Sequence, residues 1–553
     1  MIIEDKFFNI KNRRYNSKGA YTLISKARKS IGHIPVSILI PCILISAAMM
    51  LPCVYLIIRA FDASELAWQL LFRIKTLETL IRTLVLIVSV VTVSIMIALP
   101  IAWFTVRTDI PFRRVWSILS ALPIVIPSYV GAFLYITVFG PKALLQQLLE
   151  VILGIERIPS FYGLPGAILV LSLLSYPYIL LIVRASISNI DSSIEESARS
   201  MGRSSLKTFF TVTLPMLKPA IAAGSLLVAL YVISDFGAVS LMRYPTFTWS
   251  IYQHYQGAID RSAAALLSIM LLIFSVFILL MEQKSRGKIK YHRSGAGVSK
   301  RLSLIRLGKW KWPALAFCAL VVIISFLVPV SVLSYWLIRG VQAGETITTS
   351  WTSAVNSIYA SGITAVFAGF IAIPVAAFIV RYPGRLSRLF ESISYVGYAL
   401  PGIVIGLALV FFGVRYGGFL YQTVWILIFA YIVLFFPVAI ASIRSAFSQI
   451  RPSYEEAAKG LGRSGIEVLY SITLPLVRSG VIVAIALVFL ITMKELTATL
   501  ILGPLGFKTL ATEVWSFTSE AFFAKAAFPA LIIILLSSIP TAFIMSRNRD
   551  LRL

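Results

Sequence analysis

Acids, histidines and cysteines are scarce in this chain: 23 Asp and Glu stand against 50 Lys and Arg, with three His and three Cys in 553 residues. Cys42, Cys53 and Cys318 all lie in apolar runs, with neither metal-ligand spacing nor a disulfide pattern, and read as ordinary buried residues. No H-E-x-x-H, C-x-x-C or G-x-S-x-G occurs. The Gly287-Lys288 pair is followed by isoleucine and lacks the upstream glycine of a phosphate loop. The common zinc, thiol and serine-hydrolase sites are thereby excluded, no catalytic or metal site is expected, and the chain lacks that route to ATP hydrolysis. Energy for any work it does must come from a gradient or from another subunit.

Charge of either sign is also thin. Charged residues make up 13% of the chain and hydrophobic ones 58%, with a mean hydropathy of +0.89, too apolar for a soluble domain to cover with polar surface. The expectation is an all-α polytopic membrane protein. A net charge of +27 could suggest nucleic acid, but the Lys and Arg gather in stretches between apolar runs, the pattern of positive-inside topology, so the expected contact is the lipid bilayer and not nucleic acid.

Apolar runs long enough for about 30 Å of hydrocarbon fall near 34–58, 83–106, 116–139, 163–183, 219–241, 263–281, 314–338, 357–380, 392–413, 421–443, 480–502 and 526–545. That is about twelve spans. Alternating their sides puts Arg107, Arg113 and Arg114, then 282–312, then Arg381, Arg385 and Arg388, then the tail with Arg547, Arg549 and Arg552 on one face. Both termini are expected in the cytoplasm. The chain divides into a basic N-terminal segment 1–34, a first unit 35–281, a basic linker 282–312 and a second unit 313–553. His292 in the linker reads as solvated. Six spans per unit give the same orientation twice, hence two parallel six-helix repeats.

The strongest internal match is SIEESARSMGRSSLKTFFTVTLP from Ser193 to Pro215 against SYEEAAKGLGRSGIEVLYSITLP from Ser453 to Pro475, at a constant offset of 260. Each copy reads as a short helix, a glycine break and a second helix. Ser193 with Glu196, and Ser453 with Glu456, have capping-box spacing. Ile194, Ala198 and Met201, like Tyr454, Ala458 and Leu461, form one narrow apolar stripe expected to pack inward. Gly202 and Gly462 fall where a helix ends in a left-handed conformation, and Ser204 and Ser464 can cap the second helix of each copy. Tyr176-Pro177 matches Phe436-Pro437 and Arg184 matches Arg444 at the same offset, while the ALP triplets at 121–123 and 399–401 match at a larger one. Pro100 and Pro374 sit within the second spans, as a static bend or a hinge. Asp235 in VISDFGAVSLM and Glu495 in ITMKELTATLI lie inside apolar spans, where an ionisable group faces the protein interior or a watery path. Arg243, Tyr244, Trp249, Tyr252 and Tyr255 read as interfacial anchors.

The twin EESARSMG and EEAAKGLG loops, each followed by a helix ending in TLP, resemble the EAA loops of the inner-membrane permeases of binding-protein-dependent ABC importers. Ser197 and Met201 depart from that pattern in the first copy. The resemblance implies a type I importer fold, two copies of a separate ATPase subunit holding ATP and Mg, and a periplasmic binding protein; no cofactor is bound by the chain itself. It implies ATPase coupling through Glu195, Glu196, Ala198, Gly202, Leu214 and Pro215, and through Glu455, Glu456, Ala457, Ala458, Gly462, Leu474 and Pro475. The fused arrangement, with DFGAV after the first loop and KELTATL after the second, is most similar to ferric-iron permeases, with thiamine permeases the alternative and polyamine or phosphonate permeases further off. Asp235 and Glu495 are then expected to flank the translocation pathway by alternating access. An ion-coupled secondary transporter is the rival from another class, but would have no reason to repeat the capped loop.

Overall fold

The computed structural model describes residues 36–155, 160–188, 190, 192–257, 262–285, 304–344 and 350–547. The segment 1–34 and His292 lie outside the described residues. Eleven helical stretches among those described are long and apolar enough to cross a bilayer, one of them, Ser128–Leu153, running through the turn between two shorter helices, and the remaining expected span is the shorter Gly402–Arg415. Its 14 residues cover only about 21 Å at about 1.5 Å each, less than the hydrocarbon thickness.

The reason is a break that both units share. Instead of a continuous helix over 116–139, the first unit has Arg113–Leu119, a 3-10 turn Leu122–Val125 and then Ser128–Phe139. Instead of 392–413, the second has Arg385–Ser394, Val396–Ala399 and then Gly402–Arg415. Pro127 and Pro401 stand in extended backbone immediately before the last helix of each series, where a missing N–H starts a helix without cost but cannot continue one. This corrects the register read from the ALP triplets. The structural counterpart of Pro401 is Pro127, not Pro123, at an offset of 274 that Pro100 and Pro374 share. The offset falls to 260 at the fourth span because the first unit inserts a surface helix, Leu144–Leu153, ended by Gly154 at φ 66°.

The spans expected at 219–241 and 480–502 are broken too. Leu214–Ser234 and Leu474–Thr492 stop just before the two acids, and short helices Gly237–Leu241 and Thr497–Leu502 follow. By contrast, Pro100 and Pro374 lie inside uninterrupted helices, Ile74–Arg107 and Ser350–Arg381. At 34 and 32 residues, about 50 Å each, these second spans overshoot the bilayer and carry their terminal arginines out to the loops.

Each unit lends its first span to the other. Val36–Phe61 packs on the second unit, where the Tyr55 hydroxyl donates to the Phe411 carbonyl at 3.0 Å and the Cys42 thiol to that of Pro374 at 3.7 Å. In return, the Tyr135 hydroxyl of the first unit donates to Ile324 at 2.8 Å, in a π-helical turn Ile323–Leu327 within the second unit's first span. The three cysteines are free and buried. Tyr244, expected as an interfacial anchor, is buried and donates to the Arg82 carbonyl at 3.0 Å. Tyr252 packs on Phe236 with ring centroids 4.6 Å apart, so these aromatics tie the protein internally.

Candidate functional site

The two glutamate loops have the same architecture. Helices Ser192–Ser200 and Pro452–Gly460 come first, then Gly202 and Gly462 at φ 82° and 83°, then Ser205–Thr208 and Gly465–Val468. A π-helical turn comes next in each, Phe209–Thr213 and Leu469–Thr473, and leads into the fifth span. Positive φ is the conformation that glycine adopts cheaply, as the sequence implied. The capping box expected at Ser453 is displaced: the helix begins at Pro452, so Ser453 lies inside its first turn. The side chain of Ser193 lies outside the described residues. Ser204 and Ser464 do cap, each accepting from an amide three residues on at 3.3 Å. Only the second copy completes a box, with the Ser464 amide donating to the Glu467 carboxylate at 2.9 Å.

The first glutamate of each pair turns inward. Glu195, 2% exposed, forms an ion pair with Arg107 at 2.5 Å, lies 3.5 Å from Arg199 and accepts from the Thr213 hydroxyl at 2.9 Å. Glu455 pairs with Arg381 at 2.8 Å and accepts from Thr473 at 3.0 Å. The long second span supplies the arginine, the loop helix the carboxylate, and the π turn the threonine of the TLP motif. A buried carboxylate needs such partners, because one left without them costs several kcal/mol. This three-part clamp was legible in neither loop alone: its arginines lie 88 and 74 residues upstream of the glutamates. Their repetition at the ends of both second spans was the available signal.

The apolar stripe divides between two faces. Ala198 and Ala458 are buried, at 3% and 5%, while Ile194, Met201 and Phe210 in one loop, and Tyr454, Leu461 and Tyr470 in the other, are exposed. These outward residues are three matched pairs at the offset of 260. Phe210 and Tyr470 were not singled out from the sequence. Glu196, Glu456 and Ala457 are exposed as well, Leu214 and Leu474 are half-buried, and Pro215 and Pro475 are exposed.

A second constellation lies where the fifth spans break. Asp235 caps the helix that resumes, accepting from the amides of Ala238 and Val239 at 2.9 and 3.2 Å. Glu495 accepts from the Ala498 amide at 3.1 Å and the Thr497 hydroxyl at 2.6 Å. Both breaks rest on the broken third spans. A Cβ on Gly237 would come within 2.6 Å of Tyr129 Cβ, and one on Gly402 within 2.6 Å of Glu495 Oε1. Lys494 reaches across to the first unit and donates to the Ile124 carbonyl at 2.8 Å.

Paired broken helices, each restarted by an acid, with twin outward loops, define a two-unit membrane transporter subunit. Residues 90–286 and 365–548 both match the binding-protein-dependent transport system inner membrane component family, and the chain belongs to that family. It is a multi-pass inner-membrane permease subunit of a binding-protein-dependent importer, which is not itself an enzyme, and the family implies ATPase and binding-protein partners. The chain is 35% identical to the Fe(3+)-transport system permease protein FbpB 2 of Haemophilus influenzae over 503 residues, 90% of this chain and 96% of that protein. It is 22% identical to the ferric transport system permease protein FbpB of Actinobacillus pleuropneumoniae, over 81% of this chain and 68% of that protein. The molybdenum transport system permease protein ModB of Escherichia coli matches only 36% of this chain, at 25% identity, with 90% of its own length; it is a one-unit relative.

Proposed function

We propose that this chain carries ferric iron from a periplasmic binding protein to the cytoplasm by alternating access. Its two glutamate loops seat in the grooves of two copies of an ATPase subunit, which hold ATP and Mg. Both termini face the cytoplasm, and the division into 1–34, 35–281, 282–312 and 313–553 stands as its plan. The observation that carries the coupling reading is the matched set of exposed apolar residues on loops whose backs are clamped to the second spans. An exposed apolar cluster held rigidly is a docking surface. In this assignment Met201 and Leu461 enter the grooves, Gly202 and Gly462 set the angle between the loop helices, and Glu195 and Glu455 pass the motion to the spans through Arg107 and Arg381. Glu196, Glu456 and Ala457 border the contact, while Ala198 and Ala458 and the Leu-Pro pairs at 214–215 and 474–475 fix the loop to its span.

Ferric iron is supported by the length and identity of the match to the iron-transport relatives. The test is radio-iron uptake by cells expressing this chain with its ATPase and binding protein, alongside copurification of the ATPase. Leu461→Asp and Met201→Asp, which leave the clamps intact, are expected to abolish copurification and uptake while membrane insertion stays normal. Uptake that persists in the double variant would overturn the coupling assignment, and thiamine uptake in place of iron would overturn the substrate.

A further inference from the structure

Gly202 and Gly462 stand at φ 82° and 83° with nothing within 4 Å of where a Cβ would sit, so no packing at the glycine fixes the angle at which the two loop helices meet. The next residue touches both helices. The Arg203 amide donates to the Ala198 carbonyl at 3.3 Å, closing the first helix, while its guanidinium Nη1 donates to the Thr211 hydroxyl at 3.0 Å. Arg463 repeats this, its amide donating to the Ala458 carbonyl at 3.2 Å and its Nη1 to the Ser471 hydroxyl at 3.0 Å. Each hydroxyl gives its own proton to the carbonyl four residues back, Lys207 or Glu467, at 2.6 Å, so its oxygen is free to accept from the arginine. The residues between change from one copy to the other, Ser205 to Gly465, Lys207 to Glu467 and Thr208 to Val468. The arginine, the hydroxyl and their spacing of eight stay.

Thr211 and Ser471 lie in the π turns Phe209–Thr213 and Leu469–Thr473. Two residues on, Thr213 and Thr473 hold the clamp glutamates at 2.9 and 3.0 Å. Each π turn thus offers one hydroxyl inward, to a carboxylate of the first loop helix, and one on its exposed side, to the arginine that ends that helix. We infer that Arg203 and Arg463 are positioning residues for coupling: outer braces that act with the buried clamps to make each loop one rigid body across its glycine. A single tie lets the first loop helix pivot about the glycine, whereas ties on two sides carry a push on its exposed apolar residues into the fifth span. Both arginines and both hydroxyls are exposed, and contacts of that kind add little to stability, so the brace serves the transmission of movement and not the fold. This rests on the coupling reading and deepens it by naming what sets the angle between the loop helices.

Arg463→Ala and Ser471→Ala are made singly and together in the full chain and reconstituted with its ATPase and loaded binding protein. The ratio of stimulated to basal ATP hydrolysis is read beside ATPase copurification. Each single change is expected to lower that ratio about threefold, the scale of one exposed charged contact, with copurification and melting temperature unchanged. The double variant should lose no more than either single one, where independent effects would multiply to about ninefold. Ser471→Thr, which installs the residue of the first copy, should keep full coupling. Amide exchange over 465–473 of the permease alone should rise in both alanine variants, and exchange that stays the same would overturn the brace. A loss in Arg463→Ala that Ser471→Ala does not share would make the arginine a direct ATPase contact and overturn it too, as would multiplied losses in the double variant. Leu461→Asp separates this from the reading beneath it. If that variant keeps copurification, the loops do not seat the ATPase; if it loses copurification while all three alanine variants couple in full, the brace alone falls.

Discussion

The two glutamate loops share a motif at a fixed offset and differ in how deeply their clamps are buried. Arg107 and Glu195 have side chains 1% and 3% exposed, against 15% and 16% for Arg381 and Glu455. The source of the difference is the segment that joins the units. Its end runs beside the turn after Arg107, the Ile305 amide donating to the Arg107 carbonyl at 2.8 Å, the Asp109 amide to Ile305 at 3.3 Å and the Leu307 amide to the Asp109 carboxylate at 2.9 Å. Among the described residues the second clamp has no such strap, and Arg381 instead reaches the Ile450 carbonyl at 3.4 Å. Fusion of two units has therefore made one loop's anchor drier than the other's without changing its chemistry.

The largest effect that can break this comparison is loss of the clamp carboxylate. Glu195→Ala strands Arg107 in a dry site and should cost about 3–5 kcal/mol, the range for breaking a buried pair. Glu455→Ala leaves an arginine that water can reach and should cost roughly 1.5–3 kcal/mol, the scale of a hydrogen bond to a charged group. Thermal unfolding of the purified variants in nanodiscs reads the order, and equal losses would show that the strap does not set the depth of burial.

The span pattern, the twin loops and the glycine breaks could be read from residues alone because each is local: a run of apolar residues, a repeated word, a glycine after a helix. Which of two adjacent glutamates faces inward is not local. It depends on where a second span ends, and Glu195 and Glu196 are equivalent until Arg107 arrives beside one of them. The breaks at Pro127 and Pro401 escaped for another reason. Hydropathy is blind to backbone direction, so LPIVIPSYV and YALPGIVIG read as uninterrupted span, and the nearer ALP triplet supplied a false register. Asp235 and Glu495 were correctly marked as unusual for apolar surroundings, but the sequence put them within helices where the structure uses them to start new ones.

An intermediate effect is expected at the glycines, where the loops should behave alike. A Cβ at Gly202 or Gly462 would meet nothing within 4 Å, so the cost of Gly→Ala is conformational alone, about 1–2 kcal/mol at positive φ. Gly202→Ala and Gly462→Ala should lower coupled ATP hydrolysis in the reconstituted complex to a similar degree. A much larger loss at one position would mean that the two ATPase contacts are unequal, a difference the free loops do not display.

The smallest effect tests the cap that only one loop completes. In the second loop, Ser464 and Glu467 satisfy each other's amides; in the first, Ser204 accepts from the Lys207 amide, but a lysine cannot return the bond and places positive charge at the helix end that disfavours it. Lys207→Glu supplies both missing terms. It should stabilise Ser205–Thr208 by roughly 0.5–1 kcal/mol, the usual worth of a cap or a favourable terminal charge, too little to move the melting temperature of a protein this size. Amide hydrogen exchange over 205–208 is the sensitive measurement, and its protection should rise toward that of 465–468. Unaltered exchange would place control of that helix in the π turn and the Glu195–Thr213 contact behind it, making the clamp, rather than the cap, the element that holds both halves of the loop in register.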